Sequence, residues 1–262
     1  MRHQKFFAVA VLALATTATS VAAQTVVTPS NPQGWGAYTY GVSTPSPYGA
    51  MTGMYPHLGT GSAEIRLYDQ GTTEVLWWYD IAPTAPLASL NQLSFDWYVS
   101  SSSTTPVFTT PAFGMYVVGG AGGDGYLIWE GAYNGTIGGA PQDSWVSSDI
   151  LNDNFWWNGG GAGLCANAAS YQTLTWFMTQ CLGSNATVIG LAPFLGFGYA
   201  GTEFSGAFDN VAYGFVGGAS EQFNFELDRS ATEVVPEPAT MTLLATGLVG
   251  MVAARRRKRQ AR

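Results

Sequence analysis

A site that does chemistry needs residues able to attack, donate or bind, set at a workable spacing. This chain offers few such arrangements. Beyond the first residues its one histidine is His57, in Tyr55-Pro56-His57-Leu58. A Ser–His–Asp triad would have to use it, and no Gly-x-Ser-x-Gly turn accompanies it, so His57 reads as a loop histidine. Zinc chemistry fails for the same want of ligands. Glycoside hydrolysis asks only for two carboxylates held at a set separation. Glu130, next to Trp129, is the one acid that invites this role, and its competing reading is a solvent-facing strand carboxylate or a partner for Arg66 or Arg229. Sugar binding asks for less: exposed rings that pack on the apolar faces of pyranoses, with Asp or Asn side chains taking the hydroxyls. Trp78, Trp156 and Trp157 are the candidates, with Asp153, Asn154 and Asn158 beside them. The alternative is that these indoles fill a core, where aromatic rings bury large areas. If Trp156 and Trp157 lie on a strand they point to opposite faces, leaving one of the pair available. Asp143, Asp149 and Asp153, with Asn152 and Asn154, form the densest set of oxygen ligands. They are the candidates for a structural Ca²⁺, which takes about six to eight oxygens, although the spacing fits no EF-hand. Asp209 and Asn210 are further oxygen donors with a turn or strand-end role as the competing reading.

Charge narrows the partners. Between residues 24 and 235 the only basic side chains besides His57 are Arg66 and Arg229, against 16 acidic ones, a balance near −14, while the whole chain stands at −7. Such a surface repels nucleic acid and anionic lipid. The same stretch holds all nine Trp and all 13 Tyr, and the chain carries 33 Gly. Aromatic, glycine-rich composition predicts many short strands joined by tight loops, and excludes disorder. The two cysteines, Cys165 and Cys181, are 16 apart. In an oxidising compartment they would close a disulfide loop; two buried free thiols are the alternative.

Period-two alternation marks the strands that must position any site. Ala63, Ile65 and Leu67 oppose Glu64, Arg66 and Tyr68. Val75, Trp77, Tyr79 and Ile81 oppose Glu74, Leu76, Trp78 and Asp80. Leu93, Phe95, Trp97 and Val99 oppose Ser94, Asp96 and Tyr98. Residues 116–118 and 126–129 are two more, joined as a hairpin by the glycine-rich 119–125. Residues 187–194, 204–215 and 221–227 follow. The one helical stretch is 168–182, with Leu174, Phe177, Met178 and Cys181 on one face and Gly183 placed to end it. Residues 100–105 are a polar loop. The pattern predicts a mainly β fold: a jelly-roll-type antiparallel β-sandwich with one short helix. Leu93-Ser94-Phe95-Asp96-Trp97-Tyr98, Leu127-Ile128-Trp129-Glu130 and Phe208-Asp209-Asn210-Val211 resemble strands of concanavalin-A-like or laminin-G-like domains. That resemblance implies a fold rather than a function. Glucanases of that kind carry Glu-x-Asp-x-x-Glu or Glu-x-Asp-x-Glu on one strand, a string absent here.

The two ends read as addresses. Residues 1–23 carry Arg2 and Lys5, an apolar run over 6–15, and Val21-Ala22-Ala23 where signal peptidase reads small residues; this is a secretory signal peptide. At the other end Pro236-Glu237-Pro238 precedes an uncharged run over 239–254, then Arg255, Arg256, Arg257, Lys258 and Arg259. An apolar helix can enter lipid because its backbone is satisfied internally, and the basic cluster holds that end on the cytoplasmic side. At ~1.5 Å per residue the run spans ~24 Å against a hydrocarbon core of ~30 Å, short for a permanent anchor. The tripartite tail resembles the PEP-CTERM sorting signal of Gram-negative bacteria, also known as the ice-binding protein C-terminal domain. The resemblance implies export across the inner membrane, transient anchoring by the C-terminal transmembrane helix, processing by an exosortase, and delivery to the cell surface or exopolysaccharide matrix. The organisation expected is therefore a signal peptide at 1–23, a β-sandwich ectodomain at 24–235 and a sorting signal at 236–262. The expected role is non-enzymatic, with polysaccharide as a candidate ligand; the alternative is a secreted glycosidase or lyase on a concanavalin-like fold.

Overall fold

The computed structural model describes residues 24–160, 165 and 171–228. The expected signal peptide and sorting tail lie outside them. Among the described residues no helix is long and apolar enough to cross a membrane. The strands in chain order are β1 (Thr25–Val27), β2 (Trp35–Gly41), β3 (Tyr48–Thr52), β4 (Ser62–Leu67), β5 (Thr73–Pro86), β6 (Leu90–Val99), β7 (Ala112–Gly120), β8 (Gly123–Trp129), β9 (Trp145–Asp149), β10 (Asn154–Gly159), β11 (Gln172–Thr173), β12 (Thr187–Gly196), β13 (Phe204–Phe215) and β14 (Ser220–Phe225).

They form two seven-stranded sheets. One runs β11-β10-β8-β7-β12-β5-β2, antiparallel throughout. The other is built around β13. Along one side β13 pairs with β6, which pairs onward with β9. Its other side is shared: Phe204 to Phe208 pair with β4, and Val211 to Gly214 pair with β14. The changeover falls at Asp209 and Asn210, where the register with β6 also shifts and Asn210 takes φ +52°. Asn adopts that left-handed backbone more readily than most residues. β1 adds to β14 in the one parallel pairing among the described residues, a departure from the antiparallel expectation.

The expected inward faces of β4, β5 and β6 meet in the core. Ile65, Leu67, Val75, Trp77, Phe95 and Trp97 are all buried, with Phe208 and Phe225 packed edge-on against Trp77 and Trp35 edge-on against Phe225. Burying each such side chain contributes roughly 1.5–3 kcal/mol. The hairpin of β7 and β8 turns at Ala121 and Gly122, inside the expected glycine-rich connection. Residues 168–170 of the expected helix lie outside the described residues, and over 171–182 the helix differs from expectation. It is a single α turn, α1 (Leu174–Phe177), followed by a wider π turn over Met178–Leu182. Gln172 and Thr173 are extended because they pair with β10, and Thr173 Oγ1 accepts from Trp176 N–H to start the turn. Leu174, Phe177 and Cys181 are buried, and Gly183 ends the element at φ +76°.

Candidate functional site

The outer faces of the two sheets have opposite characters. On the sheet of β13, residues 53–61 form a strap across the outward side chains. Tyr55 OH lies 2.7 Å from Ser205 Oγ, and its ring stacks on Tyr98 at 4.6 Å. His57 Nε2 is 2.7 Å from Asp96 Oδ2, with the imidazole flat against Trp145 at 4.3 Å. The Gly61 N–H donates to Glu226. Under this cover Asp96 and Asp209 are buried, and so is Glu64 on the same face beside β3; the sequence reads them as outward carboxylates or strand-end residues. Glu64 is satisfied by Tyr48 OH and Thr52 Oγ1, and Asp96 also by Asn210 Nδ2. His57 is thus a structural clamp, and it sits on the far sheet from the cleft described next.

The other sheet leaves its outer face open. Cross-strand register sets Trp156, Ile128, Gly114 and Ala192 in one row, and Tyr38, Leu76, Phe194 and Ala112 in another. From these rows Ala112, Ile128, Leu76, Phe194 and Trp156 line a hollow. The result is a cleft of about 790 Å³, within the usual size of ligand sites. Tyr40, Tyr126, Tyr133, Trp156, Phe197 and Tyr199 line it, with Glu74, Glu130, Gln70 and Asn158 as the polar groups. A side chain at Gly114 would crowd the Tyr126 ring, so the glycine leaves room for that ring on the open face.

Two acids point into this cleft. Glu130 Oε1 accepts from Trp156 Nε1 at 2.9 Å, which fixes the indole across the wall. Burial holds the Glu130 carboxyl above the usual carboxylate range, against the pull of that hydrogen bond. Burial raises Glu74 as well. Both carboxylates can accept hydroxyl hydrogens, and the rings offer apolar faces. One rim is strained. Phe197 has φ +46°, a backbone region that is an outlier for a bulky residue, yet its side chain is 58% exposed. The loop is nevertheless tied down, with Phe197 N–H donating to Thr73 O and Gly198 N–H to Gln70 O. Tyr199 follows, packed edge-on against Phe108.

The candidates separate accordingly. Trp156 lines the cleft. Trp157 does not: it is 1% exposed in the core, because β10 sends adjacent side chains to opposite faces. Trp78 lies further along the open face, in a shallow hollow with Tyr38, Tyr40, Leu76 and Tyr126, its Nε1 donating to Asp80 Oδ1 at 2.8 Å. Asp153 is occupied by the indole N–H of Trp129 at 2.8 Å, and Asn154 exchanges backbone bonds with the Asn134 side chain. Neither lines the cleft. The Ca²⁺ candidates are not brought together: Asp143 accepts from Tyr98 and Ser101, Asp149 from Leu151 N–H, and Asp153 from Trp129. Among the described residues no group of three or more His, Cys, Asp or Glu could hold a metal ion. Cys165 and Cys181 are joined as a disulfide, with Cα atoms 5.2 Å apart. Sequence reasoning missed Glu74, Tyr126, Phe197 and Tyr199. For Glu74 and Tyr126 the signal existed, as outward positions on alternating strands; for the loop residues there was none.

Residues 234–258 match the PEP-CTERM protein-sorting motif, which bears out the sorting tail around Pro236, Glu237 and Pro238; nothing in the match speaks to ice binding. No curated protein matches the chain. Among solved structures it is similar to the Family 11 carbohydrate-binding module of cellulosomal cellulase Lic26A-Cel5E of Clostridium thermocellum, at 10% identity and a TM-score of 0.41, over 75% of this chain and 90% of that one. It is also similar to a Family 11 carbohydrate-binding module from Clostridium thermocellum in complex with a β-1,3-1,4-mixed-linked tetrasaccharide, at 11% identity and a TM-score of 0.36, over 67% and 86%. A third likeness is to a structure described as the basis for the promiscuous specificity of carbohydrate-binding modules from the β-sandwich superfamily, at 9% identity and a TM-score of 0.32, over 69% of this chain and 56% of that one. No side chain here takes a role from these structures.

Proposed function

We propose that this is an exported surface or matrix protein whose sandwich binds glycan in the cleft and performs no chemistry on it. The observation that carries the binding reading is the cleft itself, where half-exposed rings of Tyr126, Tyr133, Trp156 and Tyr199 stand around acids and amides. Rings stack on the apolar faces of sugars, and carboxylates and amides take the hydroxyls. The sorting motif at 234–258 supports the address. In this reading a signal peptidase removes residues 1–23 and the tail crosses the inner membrane of a Gram-negative bacterium. An exosortase then releases the jelly-roll domain to the surface or matrix. The test is a glycan array with the exported protein, repeated with Trp156→Ala. Retention of specific glycans, lost in the variant at unchanged fold, supports the reading; no retention on any glycan overturns it.

A second reading rests on the two acids. Glu74 and Glu130 line one cleft and burial raises both, as a general acid requires. Under this reading the protein is a glycosidase. Release of reducing ends from a bound polysaccharide, lost in Glu130→Gln, would establish it over the binding role.

A further inference from the structure

We infer that the cleft selects an uncharged polysaccharide segment and excludes acidic polysaccharides; this rests on the glycan-binding reading. The charge of the cleft carries the argument. Its only ionisable acids are Glu74 and Glu130, and its lining contains no Lys, Arg or His. Among the described residues the only Lys or Arg is Arg66. It lies on β4 in the other sheet, bonded to Glu203 at 3.0 Å with its guanidinium over Tyr68 at 4.8 Å. His57 is on that sheet too, held by Asp96. Among the described residues no cation is therefore at hand to meet a uronate.

Hydroxyls and carboxylates fare differently here. A sugar hydroxyl donates to a carboxylate in a charge-assisted bond, so both glutamates are acceptors for an uncharged ligand. A uronate at the same place sets a third negative charge beside them. At ~6 Å and an effective dielectric between that of water and ~20, one such pair weakens binding by about 3- to 100-fold. Glu130 cannot swing aside without giving up its bond to Trp156 Nε1, the ring proposed to stack on the sugar. The lining also spreads from Tyr40 on β2 to Trp156 and Asn158 on β10, across six strands or ~24 Å at ~4.8 Å spacing. That is longer than one sugar ring and fits a stretch of chain.

A matched pair of polymers tests this. The exported protein is run in affinity electrophoresis against water-soluble neutral glucans, mannans and galactans. The polymer retained most strongly is then compared with the same polymer oxidised at C6 to carboxylate on about a third of its sugars. The expected result at low salt is at least tenfold weaker binding of the oxidised form. The gap should shrink in 1 M salt, where the Debye length falls to ~3 Å. The gap should also narrow in the Glu74→Gln, Glu130→Gln double variant. The ratio of the two affinities is the readout, so a general loss of affinity in that variant does not obscure it; a thermal melt confirms that it folds. Equal or tighter binding of the oxidised polymer by the unaltered protein overturns the inference and leaves glycan binding standing. An unchanged ratio in the double variant overturns the role given to these carboxylates. Retention of neither polymer overturns glycan binding and this inference with it.

Discussion

Asp209→Asn should stabilise the sandwich above neutral pH and abolish a pH dependence of its stability. Asp209 sits where β13 exchanges β4 for β14, fully buried. Its Oδ1 accepts from the N–H groups of Asn210 and Phe225 at 2.7 and 2.8 Å. Its Oδ2 has no hydrogen-bond partner among the described residues, and neither have Ser62 Oγ or Asn224 Oδ1. Burial pushes the carboxyl from 3.8 up to about 7, although backbone N–H donors pull it down. Below pH 4 the folded and unfolded chains both hold the proton. Between pH 4 and 7 the unfolded chain releases it while the folded chain keeps it, so stability falls as pH rises. Above 7 both are ionised and the loss is complete. A shift from 3.8 to about 7 corresponds to about 4 kcal/mol at ~1.36 kcal/mol per unit. Asn keeps the Oδ1 acceptor and cannot ionise. At pH 8 the variant should therefore melt above the parent by roughly 8–16 °C for a domain of this size, with the difference vanishing near pH 4. Calorimetric melts of both proteins from pH 4 to 8, in the presence of a chelator, measure that difference and cancel every other titrating group. A difference that stays flat with pH, or a variant less stable at pH 8, would refute the reasoning. So would stabilisation of the parent alone by added Ca²⁺, since the carboxylate would then be ionised and paired.

Four further outcomes follow from the same geometry. Trp156→Ala should lose glycan retention with little change in melting, whereas Trp157→Ala should cost ~3–5 kcal/mol of stability because it empties a core site; paired melts and affinity gels read both. Phe197→Gly should raise stability by ~1 kcal/mol or more, by relieving the left-handed backbone, while weakening retention several-fold; a variant that is less stable would mean the loop is not strained. Reducing the Cys165–Cys181 disulfide should lower stability by about 3 kcal/mol, the chain-entropy figure for a loop of that size, seen as a drop in melting temperature with a phosphine reductant. Mass spectrometry of the protein recovered from the cell surface should end near Pro238, and recovery of intact Arg262 would count against processing of the tail.

The strands that could be read from sequence are those with one wet and one dry face, or a buried run bounded by turns. β5 shows this best, with Val75, Trp77 and Ile81 inward and Leu76 and Trp78 outward. β2, β3 and β9 escaped notice because their residues are mostly polar, small or half-exposed, and periodicity has little to act on. The alternation in β4 and β6 was right about direction and silent about cover. Glu64 and Asp96 do point away from the core, but Tyr48 and Thr52 of β3 close over Glu64 and His57 of the strap caps Asp96, and no local pattern announces either cover. The cleft was half legible. Trp156 was a candidate, yet choosing it over Trp157 needed the register of β10 against β8. Glu74 and Glu130 are 56 positions apart, and only the strand order β8-β7-β12-β5 sets them on one face.

That order also explains why one side of the molecule is available to a ligand. A sandwich of two sheets has two outer faces. Here one consumes its own polar groups: Tyr55 with Ser205, His57 with Asp96, and Glu226 with the strap backbone. The other keeps large rings in water. Tyr38, Tyr40, Phe197 and Tyr199 are between 45% and 58% exposed, all on or beside the cleft. Scattered exposed apolar residues are ordinary, but a contiguous group marks a contact surface. The fold does not need the Tyr38 and Tyr40 rings where they are. Moving Tyr38 or Tyr40 to polar residues would cost the core nothing, since both stand on the outer edge of β2. Phe197 moreover holds a backbone angle that disfavours its own side chain. Exposure without a packing role and strain without a structural return coincide around one groove. A bound chain that covers the rings would repay both at once.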